Sequence, residues 1–464
     1  MTTRLRRSCG IPVLLFLVLG LAACDPVSFW HFETLDGDGA TNPTAPTFFN
    51  AVDPATVTYA GSDHVFYVGD GALAHAWWNG RAWSYEKIDG TGDEGPPVRA
   101  IGASQTAVDG DVAVVQSGAE LHVFYRQENA SGKPALRHAW YAGAVWRAET
   151  LDGAGATRPG SVATSGYATK AVISDQQLHV FTIGADGASP VSLRHLRWTG
   201  TVWAMENLDG PAGAGTAGRS TDPLGIEGSL AVVTFNGAPH VFYRQEDPLS
   251  SPADEGRLRH AWYGATGWRA ETLDGAGATS AGAVPTEDEG AGISAVVYGG
   301  GVHVFSVGYN NVGAGPTSLR HTYWNGTRWT NESIDGVGGV ATGKVTNVTF
   351  SWFTATALIG GLPQVWSTAC TTSCVGQSVE NRVRHASWTG TTWTAGTVDG
   401  PTATTAGAVT LQGEGAAPNG ATPSSADGGA KAILTIGGRT NIFYTGSFNN
   451  TAAGASLRHA WYAP

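Results

Sequence analysis

The side chains best suited to chemistry in this chain come in series. Thirteen histidines fall into one pattern: His75, His138, His195, His260, His321, His385 and His459 each sit in a Leu-Arg-His-Ala-Trp-like run, while His64, His122, His179, His240 and His303 each open a His-Val-Phe run. His31 is the remaining one. Imidazoles serve as general acids, bases and metal ligands, but a residue repeated at every unit is more often a structural hydrogen-bonding group than a unique catalytic base. Asp36, Asp89, Asp152, Asp209, Asp274, Asp335 and Asp399 form a second series. Each precedes a Gly, where a carboxylate readily accepts backbone N–H bonds in a turn. Glu33, Glu86, Glu149, Glu206, Glu271 and Glu332 form a third, broken by Gly396. Arg137, Arg194, Arg259, Arg320, Arg384 and Arg458 form a fourth, with Ala74 as its exception. A guanidinium fork beside aromatic rings holds sugar hydroxyls or a carboxylate, which makes these arginines the candidate ligand-binding residues; pairing with Asp or Glu on the adjacent strand is the structural alternative. No nucleophile elbow, phosphate loop, His-Glu-x-x-His or metal triad is present. Neither catalytic residue, metal nor cofactor is therefore expected.

The elements that must carry these series are short strands. Each unit supplies four runs rich in Val, Phe, Tyr, Trp and Thr between Gly turns, for example Asp111 to Val115, Leu121 to Arg126, Leu136 to Tyr141 and Val145 to Leu151, here called strands A to D. The unit occurs seven times. The strand-D motif has an extra copy, Trp30 to Asp36, at the N-terminus, and the C-terminal unit stops after Tyr462 without one. A ring closed by one strand from each terminus meets both facts. The expected fold is all-β, a seven-bladed β-propeller of four-stranded antiparallel blades. The 17 Trp are assigned mainly to packing between blades.

Spacing separates the two ends of the ring. Strand-C His to strand-D Trp is eight residues in each uninterrupted copy, from His75 and Trp83 to His385 and Trp393. One tight hairpin therefore joins C to D, written Asn79-Gly80 and Asn325-Gly326 in two copies. The B–C and D–A connections vary in length, and in an up-and-down blade both lie on the opposite face. Variable loops on a rigid scaffold are where binding usually lives.

The chain opens with an export signal: Arg4, Arg6 and Arg7, then an apolar Ile11 to Leu21 too short for the ~20 residues of a membrane span. It ends Leu21-Ala22-Ala23-Cys24, which resembles a bacterial lipobox with Cys24 as the lipidated residue. The expected organisation is a signal peptide over 1–23, a tether over 24–28 and one propeller over 29–464. Five residues separate Cys24 from Trp30, a reach of at most ~18 Å, so the short-turn face is expected against the membrane. Cys370 and Cys374 stand in a polar turn segment of a chain bound for an oxidising compartment, and a disulfide is expected between them. The formal charge of −11 becomes −14 once three leader arginines leave. Charged residues are only 14% of the chain, against ~25% in an ordinary domain. Five Lys and no basic run exclude a nucleic-acid face, and a monomer is expected.

The run Val-Phe-Tyr, a polar loop, Leu-Arg-His-Ala-Trp, a Gly turn, Trp and a closing Leu-Asp-Gly is similar to the repeats of bacterial and fungal sugar-binding propeller lectins. The resemblance covers about 29–464 and implies a multivalent glycan-binding scaffold. It departs from the fucose-binding type, which places Arg at the head of strand B and Glu in strand C where this chain has His122 and His138. The fucose chemistry is therefore not implied. Repetition favours a binder, since several similar weak sites give avidity. Two other readings remain open: a polysaccharide glycosidase or lyase using loop carboxylates such as Asp93, Glu94, Asp254, Glu255, Glu287, Asp288 and Glu289, and an envelope protein-interaction scaffold.

Overall fold

The computed structural model describes residues 29–37, 40, 51–91, 99–185, 191–213, 215–222, 224, 229–246, 256–284, 288–309, 317–346, 348–370, 381–399, 431–436, 439–446 and 456–463. Twenty-eight strands form seven four-stranded antiparallel sheets. Blades 1 to 6 span 52–90, 108–153, 164–209, 230–274, 288–336 and 349–399, each in the sheet order A-B-C-D. In blade 2 these strands are Val108–Ser117, Glu120–Glu128, Pro134–Ala142 and Val145–Gly153. The A strands of successive blades touch in a closed cycle that includes the contact between the last blade and the first. Strand A is thus innermost and strand D forms the rim.

Blade 7 takes three strands from 431–463 and its rim strand, Phe29–Asp36, from the other end of the chain. The borrowed strand restores the register of the other blades. Glu33 lies opposite His459 and Thr34 opposite Arg458, as Glu149 lies opposite His138 and Thr150 opposite Arg137 in blade 2.

The core is the set of blade junctions, because each sheet is apolar on both faces. Phe66 of strand B stacks on His75 of strand C, with centroids 4.3 Å apart, and meets Trp146 of blade 2 edge-on at 5.8 Å. The same triad recurs as Phe124, His138 and Trp203, as Phe242, His260 and Trp329, and as Phe305, His321 and Trp393. These offset and edge-on geometries are the ones aromatic quadrupoles favour. The strand-D tryptophans are accordingly buried packing residues.

The D–A connections depart from the simple expectation of loops standing on one face. In four junctions the connection first runs beside the rim strand of the next blade as a one-residue parallel bridge: Ile101 with Arg147, Ala217 with Arg269, Ala281 with Thr330, and Thr342 with Thr394. Ile101 donates its N–H to Trp146 O and accepts from Ala148 N–H. Rim strands otherwise expose a row of unpaired backbone groups, and this clamp covers part of it. A glycine follows in each case, and a Cβ on Gly102, Gly218, Gly282 or Gly343 would lie 2.2 to 2.4 Å from a carbonyl oxygen of that strand.

Candidate functional site

Each junction carries two polar constructions, one toward the long-loop end of the blade and one toward the hairpin end. The first contains the arginine series. Arg137 reaches back to Asp89 of blade 1, with Nη2 2.7 Å from Oδ2, donates to Thr150 of its own blade and donates to the carbonyl of Gly102 in the connecting loop. Arg194 grips Asp152, Asn207 and Gly160 in the same way. Arg259 takes Asp209, Thr272 and Gly218, Arg320 takes Asp274, Ser333 and Gly282, and Arg384 takes Asp335, Thr397 and Gly343. Arg458 donates to Thr34, and the side chain of Asp399 lies outside the described residues. All six guanidiniums are buried, between 2% and 7% exposed.

The aspartates are saturated as well. Oδ1 of Asp89, Asp152, Asp209, Asp274 and Asp335 accepts a loop N–H, from Ser104, Val162, Ser220, Val284 and Val345. The hydroxyls of Tyr67, Tyr125 and Tyr243 add a further bond to Asp36, Asp89 and Asp209. The arginine series therefore forms dry latches that join one blade, the connecting loop and the next blade. This revises the expected ligand contact: the latch consumes the fork that a sugar would need. Ala74, the exception in the series, lies opposite the buried Lys87, which brings a cation to that junction from strand D.

The second construction begins at the strand-B histidine. His64 Nδ1 lies 2.9 Å from His75 Nε2, and His75 Nδ1 lies 2.8 Å from Glu86 Oε1. An ionised carboxylate only accepts, so the strand-C imidazole donates from Nδ1 to Glu, and its Nε2 shares a hydrogen bond with the strand-B Nδ1. Trp146 of the next blade closes the chain by donating its indole N–H to the same Oε1 at 2.8 Å. The His-His-Glu relay recurs at His122, His138 and Glu149, at His179, His195 and Glu206, at His240, His260 and Glu271, and at His303, His321 and Glu332. In blade 7 Asn441 replaces the first histidine, and His459 meets Glu33 of the borrowed strand at 2.7 Å. The indoles of Trp83, Trp268, Trp329 and Trp393 likewise donate across the junction, to Glu33, Glu206, Glu271 and Glu332. Blade 6 is the departure. Gln364 Oε1 takes His385 Nε2–H at 2.6 Å, as Asn441 Oδ1 faces His459 Nε2 in blade 7, and Gly396 stands in place of the carboxylate.

Burial, followed by the charge of the partner imidazole, lowers His64, His179 and His303 to about 4 and His122 and His240 to about 3. Burial alone takes His385 to about 4. Burial also lowers the strand-C histidines, against the opposing effect of the hydrogen bond they donate to Glu. Burial raises the affinity of Glu86 for its proton, but the His75 and Trp146 bonds outweigh it and hold the group below its usual value. In blades 1, 2, 3 and 5 the relay is thus a pair of neutral imidazoles leading to an ionised carboxylate.

The carboxylate end of the relay is its more exposed end. The Glu side chains are 18% exposed at Glu86 and 50% at Glu206. Oε1 carries the internal bonds, and among the described residues only Glu149 has Oε2 engaged, by Arg158. The buried strand-D Trp of the next blade carries a further aromatic residue from the end of strand C: Trp78 rests on Trp83, Tyr141 on Trp146, Trp198 on Trp203, Tyr263 on Trp268, Trp324 on Trp329 and Trp388 on Trp393. Trp78 is 37% exposed and Tyr263 53%. Six junctions thus hold a partly exposed carboxylate, an indole edge and an aromatic face.

Sequence spacing found the Glu and Trp series but not their pairing across junctions. It also missed the loop glycines, whose signal is the Asp-to-Gly interval of eight residues in Asp152 to Gly160, Asp274 to Gly282 and Asp335 to Gly343. Cys370 is buried at the end of its strand, while Cys24 and Cys374 lie outside the described residues. So do Asp93, Glu94, Asp254, Glu255 and Glu287, together with the side chains of Asp288 and Glu289. Among the described residues no group of three or more His, Cys, Asp or Glu is arranged to hold a metal ion.

No protein-family model matches the chain, and no curated protein matches it. Among solved structures it is similar to an ulvan lyase from a new family of polysaccharide lyases, at 13% identity and TM-score 0.49 over 88% of this chain and 93% of that one. A mutant of Trypanosoma rangeli sialidase with trans-sialidase activity matches at 10% identity and TM-score 0.46 over 94% of this chain, which spans 57% of the sialidase chain. A mutant of AofleA from Arthrobotrys oligospora matches at 14% identity and TM-score 0.42 over 80% of this chain and 90% of that one.

Proposed function

We propose that this protein is a lipid-anchored, extracytoplasmic lipoprotein whose propeller binds glycans at several equivalent rim grooves. The observation that carries the reading is the sixfold recurrence of a preorganised carboxylate beside an aromatic face. An aromatic ring takes the C–H face of a sugar, and a fixed acceptor orients its hydroxyls; a few placed polar groups on an apolar wall are the usual makings of a ligand site. The relay behind each Glu fixes its rotamer without neutralising it. The grooves replace the arginines as the proposed contact.

The leader motif ending at Cys24 supports the anchor, in the cell envelope of a bacterium, with the hairpin face toward the membrane. Cys370 and Cys374 are proposed to close a disulfide, which reaction of the denatured chain with a thiol reagent before and after reduction will check. The deacylated mature protein, applied as a monomer to a glycan array, is expected to retain a related set of saccharides with several sites per chain. Glu206→Gln and Tyr263→Ala are each expected to weaken that binding. A silent array would overturn the reading and favour the protein-interaction scaffold.

A further inference from the structure

The six grooves are not electrostatically alike. Arg158 pairs with Glu149, and Arg99 and Arg197 act on Glu86 and Glu206. Among the described residues no Arg or Lys forms an ion pair with Glu33, Glu271 or Glu332. Arg269, two residues before Glu271 on the same strand, has its space beside Gly264. At these three carboxylates Oε1 accepts only from the strand-C imidazole and the indole of the next blade, and the side chains are 27%, 39% and 34% exposed.

A second difference singles out the same three. The aromatic residue resting on the indole that bonds Glu33, Glu271 and Glu332 is Trp in every case: Trp78, Trp324 and Trp388. At Glu86 and Glu206 it is Tyr141 and Tyr263, and Glu149, whose junction carries Trp198, is already paired with Arg158. Trp has the strongest attraction for a cation among aromatic side chains. A carboxylate with no cation beside it, next to an indole face, is chemically matched to a protonated amine, because charge-assisted bonds are roughly twice as strong as neutral ones.

We propose that the grooves at Glu33, Glu271 and Glu332 select an amine-bearing sugar, the ammonium of a hexosamine binding Oε2 while the sugar ring lies on the Trp face. The selection rests on the glycan-binding reading and narrows it. Uronates and sulfated sugars are disfavoured twice, by the acceptor-only carboxylate and by a mature chain of charge −14. At Glu149 Arg158 meets that charge internally, and at Glu86 and Glu206 Tyr stands in place of Trp, so these grooves are left for neutral hydroxyls.

The test is calorimetric titration of the full chain with three oligosaccharides of equal length: glucosamine, N-acetylglucosamine and galacturonate tetramers. The glucosamine tetramer is expected to bind roughly tenfold tighter than its N-acetylated form, and the galacturonate tetramer more weakly than both. The preference should fade as salt is raised. Glu271→Gln combined with Glu332→Gln keeps an acceptor for the imidazole and the indole; it should reduce the amine preference more than the affinity for the N-acetylated form. Equal affinity for the two hexosamine tetramers, or tighter galacturonate binding, would overturn amine selection and leave glycan binding standing. Failure of all three tetramers together with a silent array would remove both. The ligand comparison on the unaltered chain decides the matter even if the double variant does not fold.

Discussion

The arginine latch and the glutamate relay are repeated with the same period, carry the same kinds of charge and bridge the same junctions, yet they sit in opposite environments. In the latch both charges are buried, every carboxylate oxygen is occupied and a loop carbonyl completes the guanidinium. In the relay the imidazoles are buried but the carboxylate emerges at the rim with one oxygen to spare. Repetition of a charged residue thus says nothing about its purpose. Saturation of its hydrogen bonds separates a joint from a site.

The comparison is broken most severely by acid. Six histidines at strand-B and blade-6 positions are held to about 4 or about 3, whereas an unfolded histidine titrates near ~6.5. The unfolded chain therefore binds more protons between those values, and stability is lost as pH falls from about 6.5 toward 3. The lowered Glu86, Glu149, Glu206 and Glu332 add to the loss below their unfolded value near ~4.5. Each of the six histidines adds to the loss across that window, which makes acid the most severe perturbation. Thermal melts followed by circular dichroism should show unfolding by about pH 4; a melting temperature constant from pH 7 to 4 would refute the relay as drawn.

Removing one partner of a latch comes next. Asp209→Ala leaves Arg259 and Tyr243 facing an emptied buried site and is expected to cost ~3–5 kcal/mol in urea unfolding. Gly218→Val, which sets a side chain against the Ala270 carbonyl at positive φ, should cost ~1–3 kcal/mol by the same measurement. The smallest change in stability belongs to the relay: Glu206→Gln, half exposed and still able to accept from His195 and Trp268, should stay within ~1 kcal/mol of the parent while lowering ligand affinity. If Glu206→Gln destabilised as much as Asp209→Ala, the division between joint and site would fail.

Ring size, blade number and closure were legible in the sequence because they depend only on counting a repeated motif and noticing where it begins and ends. The fate of Arg137 was not. Its nearest strand-D neighbours belong to its own blade, but its acidic partner is Asp89, 48 residues upstream in the blade before. Alternation along a strand tells which two residues share a face; it does not tell which neighbouring sheet that face meets. The D–A connections were legible only as variable lengths. The part that clamps the rim strand is fixed by a steric demand at Gly102, Gly218, Gly282 and Gly343 that composition alone does not reveal. The relay was visible as four coincident series, yet the pairing that ends each on a carboxylate became clear only from contacts between strands, with Gly396 as the exception.

The borrowed rim strand also sets a timetable for folding. Glu33 meets His459, 426 positions further along the chain, so the strand synthesised first in the ring cannot find its place until the strand synthesised last has emerged. Six blades can assemble before that, but the seventh is completed only when Ser456–Ala463 arrives. Up to that moment the first and sixth blades each present an unmatched apolar flank, and the cost of bringing the ends together grows only slowly with the length between them. Closure is therefore a late, single step on which the burial of both flanks depends. A chain truncated before Ser456 would lose the cooperativity of the whole circle, not merely one strand of it.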